Sequence, residues 1–207
     1  IFHNVKDAVV TVPTYFNDAQ KRAMREACKI ARLNTMHIIN EPTAATISYG
    51  SIMKEEKKKK NIVLFDLGGG TFDVSVVRVQ RHKIEVKAVG GDTYLGGEDF
   101  NNRLLDYCVG IFNHKYKIDM RSSGKAFRRL RVECVMVKRN LSTAVETVIE
   151  IDCLYQRNDF HVKISRAKFE ELNAALFQKN IGILKQFFKD ANMIKAWMAC
   201  SRCPCRT

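Results

Sequence analysis

In the stretch "FDLGGGTFDVSVV", Phe65 to Val77, Asp66 and Asp73 bracket three successive glycines, with Thr71 directly after them. Glycines carry no Cβ, so backbone N–H groups at Gly68, Gly69 and Gly70 can converge on one concave spot. Such a nest binds oxyanions, phosphate above all. Thr71 offers a hydroxyl donor to the same spot. Two carboxylates beside bound phosphate are an electrostatic error unless a cation lies between them. Hard Mg²⁺, held by Asp66, Asp73, waters and phosphate oxygens, resolves the conflict. The spacing also allows a simpler structure, a hairpin with a glycine bulge and two surface aspartates.

Elements that could position these residues are legible on both sides. "NIVLF" is an unbroken apolar run ending at Asp66, the pattern of a strand buried on both faces, and α/β sheets place ligand chemistry at such carboxyl ends. "TFDVSVVRV" and "KIEVKAV" are two further strands around "QRH", an antiparallel meander. Upstream, "DAVVTV" is a strand stopped by Pro13, and Asn17 with Gln20 forms a capping box for a helix whose exit falls at Asn34. "MHIIN" is a strand, and "EPTAATISYG" a helix with Pro42 in its first turn and Gly50 beyond its last. This strand, helix, strand, helix order argues for an α/β layer with parallel neighbours.

"SIMKEEKKKKN" lacks apolar periodicity and reads as a linker. Downstream, a helix from about Glu98 buries Phe100, Leu104, Leu105, Cys108, Ile111 and Phe112. A basic amphipathic helix from Gly124 to Leu141 turns Phe127, Leu130, Cys134, Val137 and Leu141 inward. "TVIEIDCLYQRNDFHVKIS" is a hairpin turning at Gln156 to Asp159, and Ser165 caps a last helix.

The chain has 207 residues, 46% of them hydrophobic, enough for a real core in one domain or two small ones. No run of eighteen apolar residues and no secretory signal is visible, so no membrane role is expected. It opens on Ile1 within what reads as a strand, which suggests a longer protein. Net charge is +13, concentrated in Lys57 to Lys60 and "KAFRRLRVECVMVKR". Solvated surfaces account for such runs better than a nucleic-acid groove does, because exposed aromatics are not interleaved with them. Of seven cysteines, Cys28, Cys108, Cys134 and Cys153 sit singly among apolar neighbours, as buried thiols of a reducing compartment would. Cys200, Cys203 and Cys205 crowd the end, one ligand short of a tetrahedral zinc site.

"DLGGGTFDVSVV", "IINEPTAATISYG", "VVTVPTYFNDAQ" and "GGDTYLGGEDFNNR" together resemble the nucleotide-binding domain of the heat shock protein 70 family, from about Asp7 to Asn192. The resemblance implies an actin-like (ribonuclease H-like) ATPase fold, incomplete, with two lobes. Part of lobe I would cover 1–54, a basic hinge loop 55–60, lobe II with its IIA and IIB subdomains 61–192, and a divergent tail 193–207. It implies that Gly68, Gly69, Gly70 and Thr71 hold the β- and γ-phosphates of ATP or ADP. Asp66 and Asp73 would hold Mg²⁺, with K⁺ as a further ion, and Glu41 would help position metal and attacking water. Lys138, Arg139 and Ser142 would clamp base and ribose. Pro13 matches a proline that relays nucleotide state, with Lys21 in place of its arginine partner.

The same resemblance exposes departures. Val135 stands four positions before Arg139, where the family carries a ribose-binding glutamate. A first phosphate loop with its catalytic lysine is expected before Ile1, and a second adenosine loop is replaced by "MIKAWMACSRCPCRT". The implied function is that of an ATP-dependent chaperone's ATPase domain, in fragment, weak or inactive alone. Its nucleotide state would control grip on unfolded polypeptides through a peptide-binding domain that this sequence lacks. The alternative is a catalytically dead relative acting as a protein-interaction remnant. J-domain cochaperone and nucleotide-exchange-factor coupling is expected to be weakened, the former because Gln80, Arg81 and His82 replace an acidic surface. The implied setting is cytoplasmic, with the nucleus as a second place, in the stress response.

Overall fold

The computed structural model describes residues 5–52, 60–80 and 83–193. It is a mixed α/β protein whose chain groups into two units. One holds residues up to Asp66, Phe72–Thr93 and those from Ile183; the other holds Leu67–Thr71 and Tyr94–Gly182.

In the first unit, β1 (Asp7–Val12) pairs in parallel with β2 (Asn34–Asn40), as the element order predicts. Between them runs α1 (Asp18–Ile30), opened by the expected capping box: the Gln20 amide donates to Asn17 Oδ1 and the Asn17 amide to Gln20 Oε1, both at 2.9 Å. Its exit differs from expectation. Arg32 takes the left-handed conformation (φ 60°), and Asn34 instead opens β2, because its amide donates to Lys6 O at 2.6 Å and its side chain to Asp7 Oδ1 at 2.7 Å. Strand pairing overrides the local preference of asparagine for αL. The helix α2 (Glu41–Ile52) also outruns its expected end, with Gly50 inside it. Glycine weakens a helix by about 1 kcal/mol relative to alanine but does not forbid its continuation.

A three-stranded sheet follows in the order β3 (Lys60–Leu67), β4 (Phe72–Gln80), β5 (Lys83–Asp92), with β4 and β5 antiparallel from Phe72↔Asp92 to Gln80↔Lys83. The expected linker is thus shortened at both ends, by α2 at Ser51–Ile52 and by β3 at Lys60–Asn61. Its centre, including Lys57, lies outside the described residues, as do Arg81 and His82 and the cysteines at 200, 203 and 205. The doubly buried strand is not β3 but β4, whose residues Phe72 to Val77 are all buried. β3 lies at the edge of this sheet with Phe65 53% exposed, its ring tilted against that of Phe72 at 4.9 Å between centroids. An apolar run signals a strand, but its neighbours decide how many faces are covered.

The second unit packs α3 (Gly97–Tyr116), α4 (Gly124–Asn140), the hairpin β6 (Glu146–Tyr155) and β7 (Asn158–Ser165), and α5 (Arg166–Asp190) as far as Gly182. Its core joins Phe100, Leu104, Cys108 and Phe112 to Leu130, Cys134 and Val137, and both sets to Ile149, Phe160 and Ile164. The periodicity of α3 and α4 foresees the helical part of this list. The hairpin turn is tighter than expected: Tyr155 pairs with Asn158, leaving Gln156 and Arg157, both at positive φ (49° and 63°), as a type I′ loop. Cys28, Cys108 and Cys134 are buried free thiols, but Cys153 is exposed. It sits at φ 46° in the β6 bulge, where its amide donates to Asp159 Oδ1 at 2.6 Å. Much of the basic charge of α4 is structural. Arg129 donates to the carbonyls of Asp152 and Cys153, each at 2.9 Å, and Arg131 pairs with Glu98 at 2.7 Å.

Candidate functional site

The glycine turn is held by two sets of backbone bonds. Its own closure runs from the Gly68 amide to Thr71 O at 2.8 Å. The start of α3 then seizes it: the Gly97 amide donates to Gly68 O at 2.7 Å and the Glu98 amide to Gly69 O at 2.8 Å. These contacts satisfy donors that a helix start leaves free. The Gly96 amide is taken by Asp99 Oδ2 at 2.8 Å. A Cβ on Gly96 would fall 2.4 Å from Gly69 O and 2.5 Å from Gly70 N, so the backbone of the turn itself excludes any side chain at position 96. Gly69 and Gly70 are the reverse case: among the described residues nothing lies within 4 Å of the Cβ that each lacks. Packing among the described residues therefore does not account for glycine at those two positions.

Lys138, at the end of α4, reaches the same place. Its ammonium donates to Gly97 O at 2.7 Å, and burial pulls its pKa down, with Arg139 adding to the effect and Glu98 opposing it. Arg139 is exposed, and the Ser142 hydroxyl donates to Lys138 O at 3.4 Å.

In the first unit, Glu41, Asp66 and Asp73 come together although the outer two lie 32 positions apart in sequence. With Pro42, Ala45, Leu64, Phe65 and Ser75 they line a cleft of about 170 Å³. Glu41 opens α2, Asp66 lies near the end of β3, and Asp73 near the start of β4. Burial raises the Glu41 carboxyl, and the carboxylates of Asp73 and then Asp66 raise it further. The cleft is therefore a site of negative field that a cation would relieve. Among the described residues no group of three or more His, Cys, Asp or Glu side chains is arranged as a metal cage.

Sequence reasoning missed four positions. Ser75 follows Asp73 by two on β4, hence on the same face, and is buried with no hydrogen-bond partner for its Oγ in the described structure. Strand alternation could have found it. Tyr15 could not be foreseen: burial, then Asp73, then Asp92 raise its hydroxyl to a pKa of about 12. Gly91, at φ 146°, leaves room that a Cβ would close, lying 2.0 Å from Phe72 O and 2.7 Å from Tyr15 Oη. Gly96 is the fourth. Wider hollows of about 440 Å³ lie on α3 and beside β5, without a converging set of acids.

The family model described as Hsp70 protein matches residues 1–198, a longer span than Asp7 to Asn192. Over 192 residues, 93% of this chain, it is 50% identical to Heat shock 70 kDa protein 2 of Paracoccidioides lutzii, covering 29% of that protein. Over the same share of the chain it is 48% identical to the Heat shock 70 kDa protein of Emericella nidulans, covering 30% of it. It is 44% identical to the Ribosome-associated molecular chaperone SSB of Candida glabrata, covering 31%. The chain thus spans about three tenths of the length of these relatives. A match that runs through the glycine turn, the acids of the cleft and the start of α3 alike leads to one conclusion: this chain belongs to the Hsp70 family.

Proposed function

We propose that the chain binds ATP and ADP with Mg²⁺ and is part of a chaperone ATPase of the actin-like fold. The observation that carries this is the open space at Gly69 and Gly70, where glycine serves no neighbour among the described residues. Amides of Gly68, Gly69 and Gly70 and the Thr71 hydroxyl would hold the β- and γ-phosphates. Asp66 and Asp73, the flanking acids in sequence, would hold the metal. Mg²⁺ takes one or two carboxylates and completes its shell with waters and phosphate oxygens, so a pair of acids short of a full cage fits it, with K⁺ as a further ion. When bound, the metal would neutralise charge on the phosphate oxygens. Glu41, with its raised carboxyl, would orient the attacking water, and Lys138, Arg139 and Ser142 would hold the nucleoside.

The family's two-lobe division, 1–54 and 61–192 about a hinge, belongs to the same reading. So do grip on unfolded polypeptides, weakened J-domain and exchange-factor coupling, the stress response and a cytoplasmic setting. The similarity to a ribosome-associated molecular chaperone supports the chaperone role. No helix among the described residues is long and apolar enough to cross a membrane. Calorimetric titration of the purified chain with Mg·ATP tests the proposal. Saturable, Mg²⁺-dependent binding with slow phosphate release supports it; no heat of binding up to millimolar nucleotide rejects it.

A further inference from the structure

Resting on the metal reading above, we propose that Ser75 is a positioning residue of the acid cleft, its hydroxyl holding a water in the shell of the divalent cation that Asp66 and Asp73 bind. Strand alternation puts Ser75 and Asp73 on one face of β4, and both line the cleft with Glu41 and Asp66. Ser75 is 2% exposed, and its Oγ has no hydrogen-bond partner among the described residues. A hydroxyl buried in that way destabilises a fold, and a buried strand favours β-branched apolar side chains, as at Val74, Val76 and Val77 beside it. Packing gives no reason for serine at this position.

The chemistry of the cleft narrows what the hydroxyl meets. Apart from Ser75 and the three acids, its walls are Pro42, Ala45, Leu64 and Phe65, whose side chains neither donate nor accept. Ionised carboxylates only accept, whereas a serine hydroxyl donates and accepts, so Ser75 can take a proton of a water that an acid also holds. At about 170 Å³ the cleft has room for several waters. Oxygens on neighbouring corners of a Mg²⁺ octahedron stand about 3 Å apart, which is hydrogen-bonding distance. Ser75 Oγ bonds to none of the acids, and it therefore reaches the cation through a water rather than as a direct ligand.

The probe is Mn²⁺, followed by electron paramagnetic resonance and titrated into the 207-residue chain without nucleotide and again with ADP. Ser75→Ala should weaken Mn²⁺ binding about threefold to tenfold wherever the parent binds it, and leave ADP affinity in EDTA unchanged. It should not lower the melting temperature of the metal-free protein, because the hydroxyl it removes makes no bond within the fold. Ser75→Thr keeps the hydroxyl and should restore Mn²⁺ affinity. Equal Mn²⁺ affinity in the parent and Ser75→Ala overturns the inference, and so does a metal-free melting temperature that falls, the mark of a purely structural serine. No Mn²⁺ uptake by the parent in either titration, or a folded Ser75→Thr no better than Ser75→Ala, overturns it as well. ADP bound in EDTA leaves nucleotide binding standing in each of those cases. Mn²⁺ uptake that depends on Ser75 without any binding of ADP supports the inference and rejects the nucleotide reading.

Discussion

The Gly97 amide donates to the carbonyl of Gly68 at 2.7 Å, so the first turn of α3 is fastened to the glycine turn by backbone alone. The fastening leaves no room at Gly96. Gly96→Ala would press a methyl against Gly69 O and C and Gly70 N, none of which can swing away as a side chain tip could. The expected cost is about 1–3 kcal/mol, the range for overpacking, read as a fall of several degrees in Tm. An unchanged melting curve would contradict the geometry.

Gly69→Ala and Gly70→Ala should behave oppositely. With nothing among the described residues within 4 Å of either Cβ, stability should stay within about 1 kcal/mol of the parent. Nucleotide affinity should fall at least about tenfold, because the methyl would occupy the space assigned to phosphate. Thermal melts and Mg·ATP titrations of both variants separate the two effects.

The Glu41 carboxyl should titrate above the ordinary glutamate value. Since its folded pKa is raised, Glu41 favours the fold fully below about pH 4.5, and this advantage is lost as pH rises through the folded pKa. Asp73→Asn should lower the Glu41 pKa more than Asp66→Asn does, as the Asp73 charge acts on it more strongly. Carboxyl-detected NMR titration of the three proteins would show it.

Tyr15 should ionise only near pH 12, two units above an ordinary tyrosine. Its contribution to stability is complete below pH 10 and disappears as pH climbs toward 12, because the unfolded chain releases the proton first. Ultraviolet difference titration of the parent against Tyr15→Phe isolates this one hydroxyl among six tyrosines. A Tyr15 transition near pH 10 would rule out the buried, acid-flanked setting.

Gly90 abuts the last turn of α5: a Cβ there would lie 2.7 Å from Phe187 Cδ2. Gly90→Ala should cost about 1–3 kcal/mol, and combining it with Phe187→Leu should recover part of the loss. Denaturant melts of the two single variants and the double variant measure the coupling.

What the amino-acid sequence determined by itself is local. The capping box at Asn17, the heptad-like burial along α3 and α4, the alternation of the hairpin and the glycines between Asp66 and Asp73 follow from spacing and side-chain chemistry, which act over a few residues. Tertiary structure decided what depends on distant neighbours. It made β4 rather than β3 the buried strand, moved the left-handed exit from Asn34 to Arg32, and brought Glu41 to the two aspartates. It also divided the glycines into two kinds. Gly96 is required because a backbone from elsewhere in the chain passes within van der Waals contact, and Gly69 and Gly70 face open space among the described residues. One-dimensional spacing cannot tell these apart, because steric exclusion depends on which atoms arrive from remote parts of the chain.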